Sequence, residues 1–354
     1  MKLKNLGFNA FFQKHLENCQ LEKCSVGRIC AEYKENYKLF SEFGELNANI
    51  SGKFRNNCTK REDFPAVGDW VLFDYIENEN KAIIQEVCPR KSKFSRKVAG
   101  QQTQEQIIAS NVDFAFIVCA LNYDFNLRRI ERYLSLIWQS GATPVVILTK
   151  SDLCSNVQDK ISEVENIALG VGIHAISNIS VDGIEVLQKY FVDNKTVVLL
   201  GSSGVGKSSL INNLAKENIM KVNVLRSNME KGRHTTTHKQ MILLPNGGLI
   251  IDTPGIRELQ LWDAEDGISQ AFSDIEELAK SCKFGDCTHI NEPDCAVQKA
   301  IKVGIIDASR LDNYLKVQKE QQYLTIRQTQ SAAKVERDKW KNIHKQAKNL
   351  TKGG

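Results

Sequence analysis

The chain has 354 residues with 47 Lys and Arg against 42 Asp and Glu, which gives a formal net charge of +5. Hydrophobic residues make up 42% and charged residues 25% of the chain, and the longest apolar run covers only residues 114–121. This composition is typical of a globular protein of two or three domains, and it excludes a chain that crosses a membrane through an apolar helix.

The first 20 residues are expected to form an N-terminal extension. Lys, Asn, Gln and His are scattered through MKLKNLGFNAFFQKHLE, so this segment lacks the apolar core of a signal peptide. Three of the ten cysteines lie at metal-binding spacing near the C-terminus, so the cysteines do not indicate disulfides. We therefore expect a cytoplasmic protein that has no membrane partner.

Residues 21–98 alternate apolar and polar in short stretches separated by glycine and proline, which predicts strands at 26–30, 37–40, 69–73 and 82–87. Several short strands at close spacing indicate a small β-barrel. The region closes with basic residues around an aromatic one, a pattern that suits phosphate neutralisation and base stacking. These residues are Arg90, Lys91, Lys93, Phe94, Arg96 and Lys97.

Residues 99–272 alternate between predicted helices and apolar strands, which indicates an α/β domain with a parallel sheet. Residues 103–110 look helical, and residues 127–139 form an amphipathic pattern with Arg128, Arg129 and Arg132 on one side. Apolar runs at 144–148, 196–200 and 249–251 predict buried strands. Polar residues follow each of these runs, so the chemistry is expected at one edge of the sheet.

Residues 201–208 read GSSGVGKS, which matches the phosphate-binding pattern G-x-x-x-x-G-K-[ST] between a predicted strand and a predicted helix. Backbone N–H groups of such a loop surround a phosphate, Lys207 reaches the β- and γ-oxygens, and the Ser208 hydroxyl binds Mg²⁺. The predicted phosphate-binding residues are Gly201, Ser202, Ser203, Gly204, Val205, Gly206, Lys207, Ser208 and Ser209.

The run at 144–148 leads into Thr149-Lys150-Ser151-Asp152, where a carboxylate can accept from both the ring N–H and the exocyclic amine of guanine. Adenine has no such pair of donors, and a site built for paired donors rejects the analogue that lacks them. Ser177 belongs to a segment, 174–178, that resembles the loop backing a guanine ring. We therefore predict that Thr149, Lys150, Ser151, Asp152 and Ser177 bind GTP rather than ATP.

Asp252-Thr253-Pro254-Gly255 follows the third run, so Asp252 can hold Mg²⁺ through water and the Gly255 N–H can meet the γ-phosphate. Many GTPases place next a glutamine that orients the attacking water, but this chain has Ile256 there. His234 is the nearest polar candidate for that role, although it could instead contact phosphate or be merely exposed. One of the hydroxyls at 235–237 should close on Mg²⁺, and Thr236 is favoured.

The order of these segments is unusual, because the base reader precedes the phosphate loop and the metal-binding Asp follows it. Ordinary GTPases begin with the phosphate loop. Since all the segments follow strands at one sheet edge, and chain ends commonly lie close together at the surface, a circular permutation leaves the pocket intact. The predicted core is therefore a P-loop GTPase in circularly permuted order.

Residues 273–330 are predicted to be a mostly helical zinc-binding domain. Three thiols and an imidazole, those of Cys282, Cys287, His289 and Cys295, lie within fourteen residues. Four ligands fit a closed, structural Cys₃His site, whereas a catalytic zinc leaves one position open. The other interpretation is that the cysteines are incidental. Residues 331–354 form a basic tail, and the segment 316–354 has ten Lys and Arg against three acidic residues.

These features together resemble the bacterial family of ribosome small-subunit-dependent GTPase A, over about residues 20–330. The resemblance is carried by the permuted order, GRHTTT at 232–237, DTPG at 252–255 and the Cys-Cys-His-Cys knuckle. It implies an OB-like barrel, a permuted GTPase and a zinc domain with one structural ion. It also implies GTP hydrolysis that is stimulated by the small (30S) ribosomal subunit, late in the maturation of that subunit. His234, Lys207 and Thr236 would be the catalytic residues, and the partners would be the subunit and its rRNA.

One residue departs from the family pattern, since Thr149 replaces the usual asparagine that braces neighbouring loops and touches guanine N7. We therefore expect weaker guanine affinity with specificity retained through Asp152. Two other functions remain open, a non-catalytic RNA-binding module switched by nucleotide and an ATP-driven RNA factor. Asp152 and Ser177 argue against the ATPase. One complete pocket per chain predicts a monomer.

Overall fold

The computed structural model of the chain describes residues 1–17, 24–33, 36–97, 105–220, 239–252, 268–269, 271–290, 292–319 and 322. Helices in these ranges are all too short or too polar to span a bilayer. The folded elements form a closed N-terminal barrel, a larger α/β sheet and a group of C-terminal helices. The predicted division into five segments stays a prediction.

The N-terminal barrel has five strands that pair in the order β1-β2-β3-β5-β4, and β4 closes on β1. This closed five-stranded arrangement confirms the small β-barrel predicted from the sequence. The sequence predicts four of the strands and misses β3, in which only Leu46 and Ala48 are buried. The strands are β1 Ser25–Glu32, β2 Tyr37–Ser41, β3 Gly44–Ile50, β4 Trp70–Ile76 and β5 Lys81–Val87.

The N-terminal residues cover one end of this barrel. A 3₁₀ turn, Leu3–Leu6, leads into helix α1, Ala10–Glu17. The Phe8 ring meets the buried Trp70 edge-on at a centroid distance of 5.0 Å.

Helix α2, Gly52–Asn57, is capped by Ser51, whose hydroxyl accepts from a backbone N–H of the first turn of the helix. The other 3₁₀ turns of the barrel region are Arg61–Asp63 and Glu77–Glu79.

The α/β sheet has the strand order β10-β9-β8-β11-β13-β12. All neighbours in it are parallel except the edge strand β12, which runs antiparallel to β13. Alternate residues of β9 belong to two different hydrophobic cores, so both faces of the sheet are covered. The strands are β8 Phe114–Ala120, β9 Thr143–Thr149, β10 Gly172–Ala175, β11 Thr196–Leu200, β12 Lys239–Leu243 and β13 Leu249–Asp252.

Helices α3 and α4, Leu127–Ser140 and Val157–Glu165, pack on one face of this sheet. The opposite face carries helix α5, Lys207–Ala215, and a 3₁₀ segment, Glu185–Asn194. A further 3₁₀ turn, Ser151–Leu153, follows β9. Because the helices lie on both faces, the polar chemistry is left to the loops at the carboxyl ends of the strands.

The C-terminal helices pack on the same core as α3. They are α6 Ser273–Ala279, α7 Ala296–Lys302 and helical residues 308–319. Phe272, Ile275 and Val297 contribute buried side chains to the core that α3 shares with the sheet. The prediction of a mostly helical C-terminal region with a Cys/His cluster is confirmed.

The barrel and the α/β sheet are joined directly. Strand β1 pairs with β12 through Ala31 and Glu32. A two-stranded hairpin, β6 Lys93–Lys97 and β7 Glu105–Ser110, follows the barrel. The prediction of a helix across 103–110 is therefore wrong for the described residues of that range. Ile107 and Ile108 are β-branched and buried there, which favours a strand.

Candidate nucleotide-binding and metal sites

The predicted phosphate loop connects β11 to α5 at the carboxyl edge of the sheet. Gly201 has a φ of 150°, and a Cβ at that position would lie 2.3 Å from the Val118 carbonyl oxygen. Gly206, with a φ of 100°, is the residue from which α5 begins. A side chain at either position would be strained or would clash, so the loop needs glycine there to curl around a phosphate.

Lys207 lies over this loop. Its ammonium group donates to the carbonyl oxygens of Gly201 at 2.8 Å and Ser202 at 2.6 Å. The positive charge thus sits beside the backbone N–H groups at the start of α5, where the helix dipole also favours an anion. Ser203 and Gly204 are exposed at the tip of the loop, while Val205 is buried beneath it.

The predicted base reader lies in the turn after β9. The Ser177 hydroxyl donates to the Asp152 Oδ1 atom at 2.6 Å, and it accepts from the backbone N–H groups of Ile179 and Ser180 at 3.3 and 3.2 Å. Ser177 is buried, whereas Asp152 is exposed. A buried hydroxyl therefore orients an accessible carboxylate, which is the arrangement that reading a purine edge requires.

Thr149 ties the base reader to the phosphate loop. Its buried hydroxyl donates to the Val205 carbonyl oxygen at 2.6 Å. The asparagine amide that usually braces these loops is missing here, but the Thr149 hydroxyl keeps one hydrogen bond between them. Lys150, the next residue, has a φ of 60° and turns the chain sharply toward Ser151 and Asp152. The two segments that are separated by about fifty residues in sequence thus share one loop cluster.

Three residues of this cluster are absent from the sequence prediction. Asn178 donates from its amide to the Gly206 carbonyl oxygen at 3.2 Å, and Asn213 in α5 donates to the Asn178 carbonyl oxygen at 3.1 Å. Arg129, at the start of α3, reaches the Ser202 hydroxyl at 2.7 Å and the Asp124 carboxylate at 2.8 Å. Asn178 follows Ser177 directly, whereas no local pattern points to Arg129 or Asn213.

The remaining predicted residues divide into two groups. Ser208 and Ser209 lie in the first turn of α5, and Asp252 ends β13, the neighbour of β11. These positions bring the predicted Mg²⁺ ligands Ser208 and Asp252 to the same sheet edge. The other three predicted residues, His234, Thr236 and Gly255, lie outside the described residues.

Cys282, Cys287, His289 and Cys295 come together, with ligand atoms within 4.8 Å of one another. The Cys282 Sγ atom lies 3.6 Å from His289 Nδ1 and 3.8 Å from Cys295 Sγ. Ligand bonds of about 2.0–2.3 Å at tetrahedral angles require separations of roughly 3.5–3.8 Å. The separations among Cys282, His289 and Cys295 fit zinc, and the cluster of four is compatible with the predicted site.

The surroundings of this cluster hold its members in place. Cys295 is buried at the start of α7, where its sulfur accepts from the Gln298 backbone N–H at 3.4 Å. The Gln298 side chain donates to the His289 carbonyl oxygen at 2.6 Å. Burial lowers the pKa of His289, which favours the neutral imidazole that coordinates metals.

The sheet order, the phosphate loop and the predicted base reader, which precedes that loop in sequence, are those of a circularly permuted P-loop GTPase. Comparisons with known proteins agree with this class. The family model of the RsgA GTPase matches residues 87–262. The chain belongs to the RsgA GTPase family, and the family predicted from the sequence is confirmed.

Two curated relatives show how far the similarity extends. "Small ribosomal subunit biogenesis GTPase RsgA 1" of Oceanobacillus iheyensis is 44% identical over 325 residues, covering 91% of this chain and 92% of the relative. The protein of the same name from Listeria innocua is 43% identical over 346 residues, covering 98% of this chain and 96% of the relative.

Solved structures agree. The crystal structure of YjeQ from Thermotoga maritima has a TM-score of 0.62 and 27% identity, and the match covers 83% of this chain and 96% of that chain. YloQ, described as a circularly permuted GTPase, has a TM-score of 0.60 and 26% identity, with coverage of 87% and 97%. The similarity therefore spans the barrel, the GTPase core and the C-terminal helices.

Proposed function

We propose that this GTPase hydrolyses GTP to GDP and phosphate on the small (30S) ribosomal subunit, acts in the late maturation of that subunit, and is stimulated by it. We infer the small ribosomal subunit as the partner from the names of the curated relatives. The observation that supports a guanine nucleotide is the direct connection between the base reader and the phosphate loop. The Thr149 hydroxyl donates to the Val205 carbonyl oxygen, and the Ser177 hydroxyl donates to the Asp152 carboxylate. An ATPase has no use for a carboxylate held in that place.

The nucleotide would be bound by the whole loop cluster. Asp152 accepts from the guanine edge, with Lys150, Ser151 and Ser177 around the base. Backbone N–H groups of 201–209 meet the phosphates, and Lys207 exchanges its two carbonyl acceptors for phosphate oxygens. Ser208 and Thr236 would hold Mg²⁺, assisted by Asp252, with Gly255 at the γ-phosphate. The ion would neutralise charge that develops on the phosphates.

His234 is proposed to position the attacking water, because Ile256 stands where many GTPases carry a glutamine. His234→Ala should leave GTP affinity within about twofold and remove most of the subunit-stimulated turnover. The measurement is phosphate release with no subunits, with small subunits and with large subunits, at several salt concentrations. Lys207→Ala serves as a comparison that should lose nucleotide binding as well.

Stimulation by small subunits alone, weakened by salt, is the expected result, because phosphate contacts release counterions. Equal turnover with and without subunits would contradict the proposed enzyme and favour a non-catalytic RNA-binding module. If His234→Ala kept its subunit-stimulated turnover, only the proposed role of that histidine would be contradicted, and the rest of the proposal would stand.

Contacts with rRNA are proposed for the barrel and the basic segments. Phe94 is buried and Arg90 is paired with Asp69 at 2.7 Å, so neither supplies the free stacking or charge that the sequence pattern suggests. Phe43 and Tyr75 offer a stacked aromatic pair on the barrel instead, with parallel rings 4.2 Å apart and Phe43 45% exposed. The basic tail, 331–354, lies outside the described residues.

The Cys₃His cluster is proposed to hold one structural zinc ion, and the protein is proposed to act as a cytoplasmic monomer. Cys295→Ser should remove the bound zinc and lower Tm by at least about 5 °C, because closed zinc sites contribute directly to folding energy. Zinc content by atomic absorption and thermal unfolding are the measurements. Cys58→Ser, a free barrel cysteine, is the matched control. A zinc-free wild-type protein that unfolds at the same temperature would contradict the proposal.

A further inference from the structure

The connection from β8 to α3, residues 121–126, lies beside both parts of the candidate nucleotide site. At its start, the Leu121 backbone N–H donates to the carbonyl oxygen of Thr149, the residue that begins the base reader, at 2.8 Å. Strand β8 also pairs with β11, the strand that leads into the phosphate loop. A side chain at the end of this connection is therefore well placed to act on the site.

Arg129, in the first turn of α3, reaches from this connection to the phosphate loop. Its Nη1 atom donates to the Ser202 hydroxyl at 2.7 Å and to the Asp124 carboxylate at 2.8 Å. The backbone of Arg129 is fixed as well, because the Asn126 side chain caps α3 and accepts from the Arg129 N–H at 3.0 Å. The guanidinium is thus held against the loop before any ligand is bound.

Ser202 accepts from two cationic side chains. Its hydroxyl accepts from Arg129, and its carbonyl oxygen accepts from the Lys207 ammonium at 2.6 Å. Hydrogen bonds from charged donors are roughly twice as strong as those between neutral groups. When Lys207 turns to phosphate oxygens, the bond from Arg129 still holds Ser202 in place.

The phosphate loop needs support of this kind because it is rich in glycine. Gly201, Gly204 and Gly206 have φ values of 150°, 78° and 100°. Glycine loses more conformational freedom than any other residue when it becomes ordered. The second half of the loop is held by the bonds that Thr149 and Asn178 donate to its carbonyl oxygens. The guanidinium supplies the corresponding bond to the first half.

We propose that Arg129 is a positioning residue of this GTPase, which fixes the first half of the phosphate loop, through the Ser202 hydroxyl, in the shape that binds the β- and γ-phosphates. A loop that is already in its binding shape loses less freedom when the ligand arrives, so the nucleotide binds more tightly. This inference rests on the nucleotide site of the proposed function. It deepens that function by naming a residue that acts on the phosphates and leaves the base alone.

The test is the binding of GMP, GDP and a non-hydrolysable GTP analogue to the full-length protein with Mg²⁺, by competition with fluorescent GDP. Arg129→Ala should raise the Kd for GDP and for the GTP analogue about tenfold, because one hydrogen bond from a charged group is lost. The Kd for GMP should stay within about twofold, since GMP lacks the β- and γ-phosphates.

Two further variants show whether Arg129 acts through Ser202. Ser202→Ala should show the same selective loss, and the double variant should lose no more than Arg129→Ala alone. Arg129→Lys should recover part of the affinity. Both bonds come from the single Nη1 atom, and an ammonium nitrogen can also donate to both acceptors. Arg55→Ala, which removes an exposed arginine of α2, is the matched control and should bind all three nucleotides normally.

Three outcomes would overturn the inference. An unchanged Kd for GDP in Arg129→Ala would show that the loop keeps its shape without the guanidinium. Equal losses for GMP and GDP would show that Arg129 supports the base reader or the fold as a whole. Additive losses in the double variant would show that Arg129 does not act through Ser202. These Kd ratios do not involve the ribosome, so a missing stimulation by small subunits would contradict the proposed function without changing them.

Discussion

Asp152→Asn should exchange the preference for guanine nucleotides for a preference for xanthine nucleotides. In the proposed site the carboxylate would accept from two guanine N–H groups, whereas an asparagine amide presents one acceptor and one donor. Xanthine carries a carbonyl where guanine has its amine, so it matches the amide. We expect the Kd for GDP to rise at least about a thousandfold, which corresponds to about 4 kcal/mol, and XDP to bind more tightly than GDP.

Binding of fluorescent GDP, XDP and ADP to the purified variants measures this change. Ser177→Ala should show a smaller loss of about tenfold for GDP, because the carboxylate loses only its 2.6 Å hydroxyl donor. Ser180→Ala is the matched control, since only its backbone N–H contacts Ser177. If Asp152→Asn bound GDP as well as the wild type does, Asp152 would not read the base.

The parts of the fold that sequence predicts are those whose signal is local. The apolar runs of β9, β11 and β13 and the glycine pattern of the phosphate loop are each contained in a few consecutive residues. Strand β3 has only two buried side chains, so its pattern is too short to identify it. Strand β7 depends on pairing with β6, which no pattern inside 105–110 reveals.

In the candidate site too, residues with a local motif are predictable from the sequence, whereas contacts between distant segments are not. Thr149 is recognisable from its motif, but only the fold shows that its hydroxyl reaches Val205. Arg129 belongs to a predicted amphipathic helix, and its contact with Ser202 follows from how α3 packs beside the phosphate loop. Phe94 fails as a stacking residue because an aromatic within a basic run can equally well face the core.

Helix α3 connects the nucleotide site with the C-terminal helices. Arg129 contacts the phosphate loop, and Glu131, two residues later, is fully buried among donors from the C-terminal region. The Glu131 carboxylate accepts from Arg310 at 2.6 Å and from Asn313 at 2.6 Å, and Arg128 of the same helix adds two bonds of 2.8 Å. The Glu131 carboxylate therefore joins the C-terminal helices to the helix whose Arg129 contacts the phosphate loop.

Glu131→Leu should destabilise this junction by about 3–5 kcal/mol, because it leaves buried Arg310 with Asp274 as its remaining carboxylate partner. Faster hydrogen exchange over residues 308–319 is the expected result, measured together with Tm. The double variant Glu131→Leu, Arg310→Met should lose less than the sum of the two single changes, since the buried charges are removed together. Glu277→Leu, which breaks an exposed pair with Lys280, should cost less than about 1 kcal/mol. Two outcomes would contradict this prediction: additive losses of stability in the double variant, or a Glu131→Leu variant that is as stable as the Glu277→Leu control. Either outcome would mean that apolar packing holds α3 and the C-terminal helices together and that the carboxylate does not couple them.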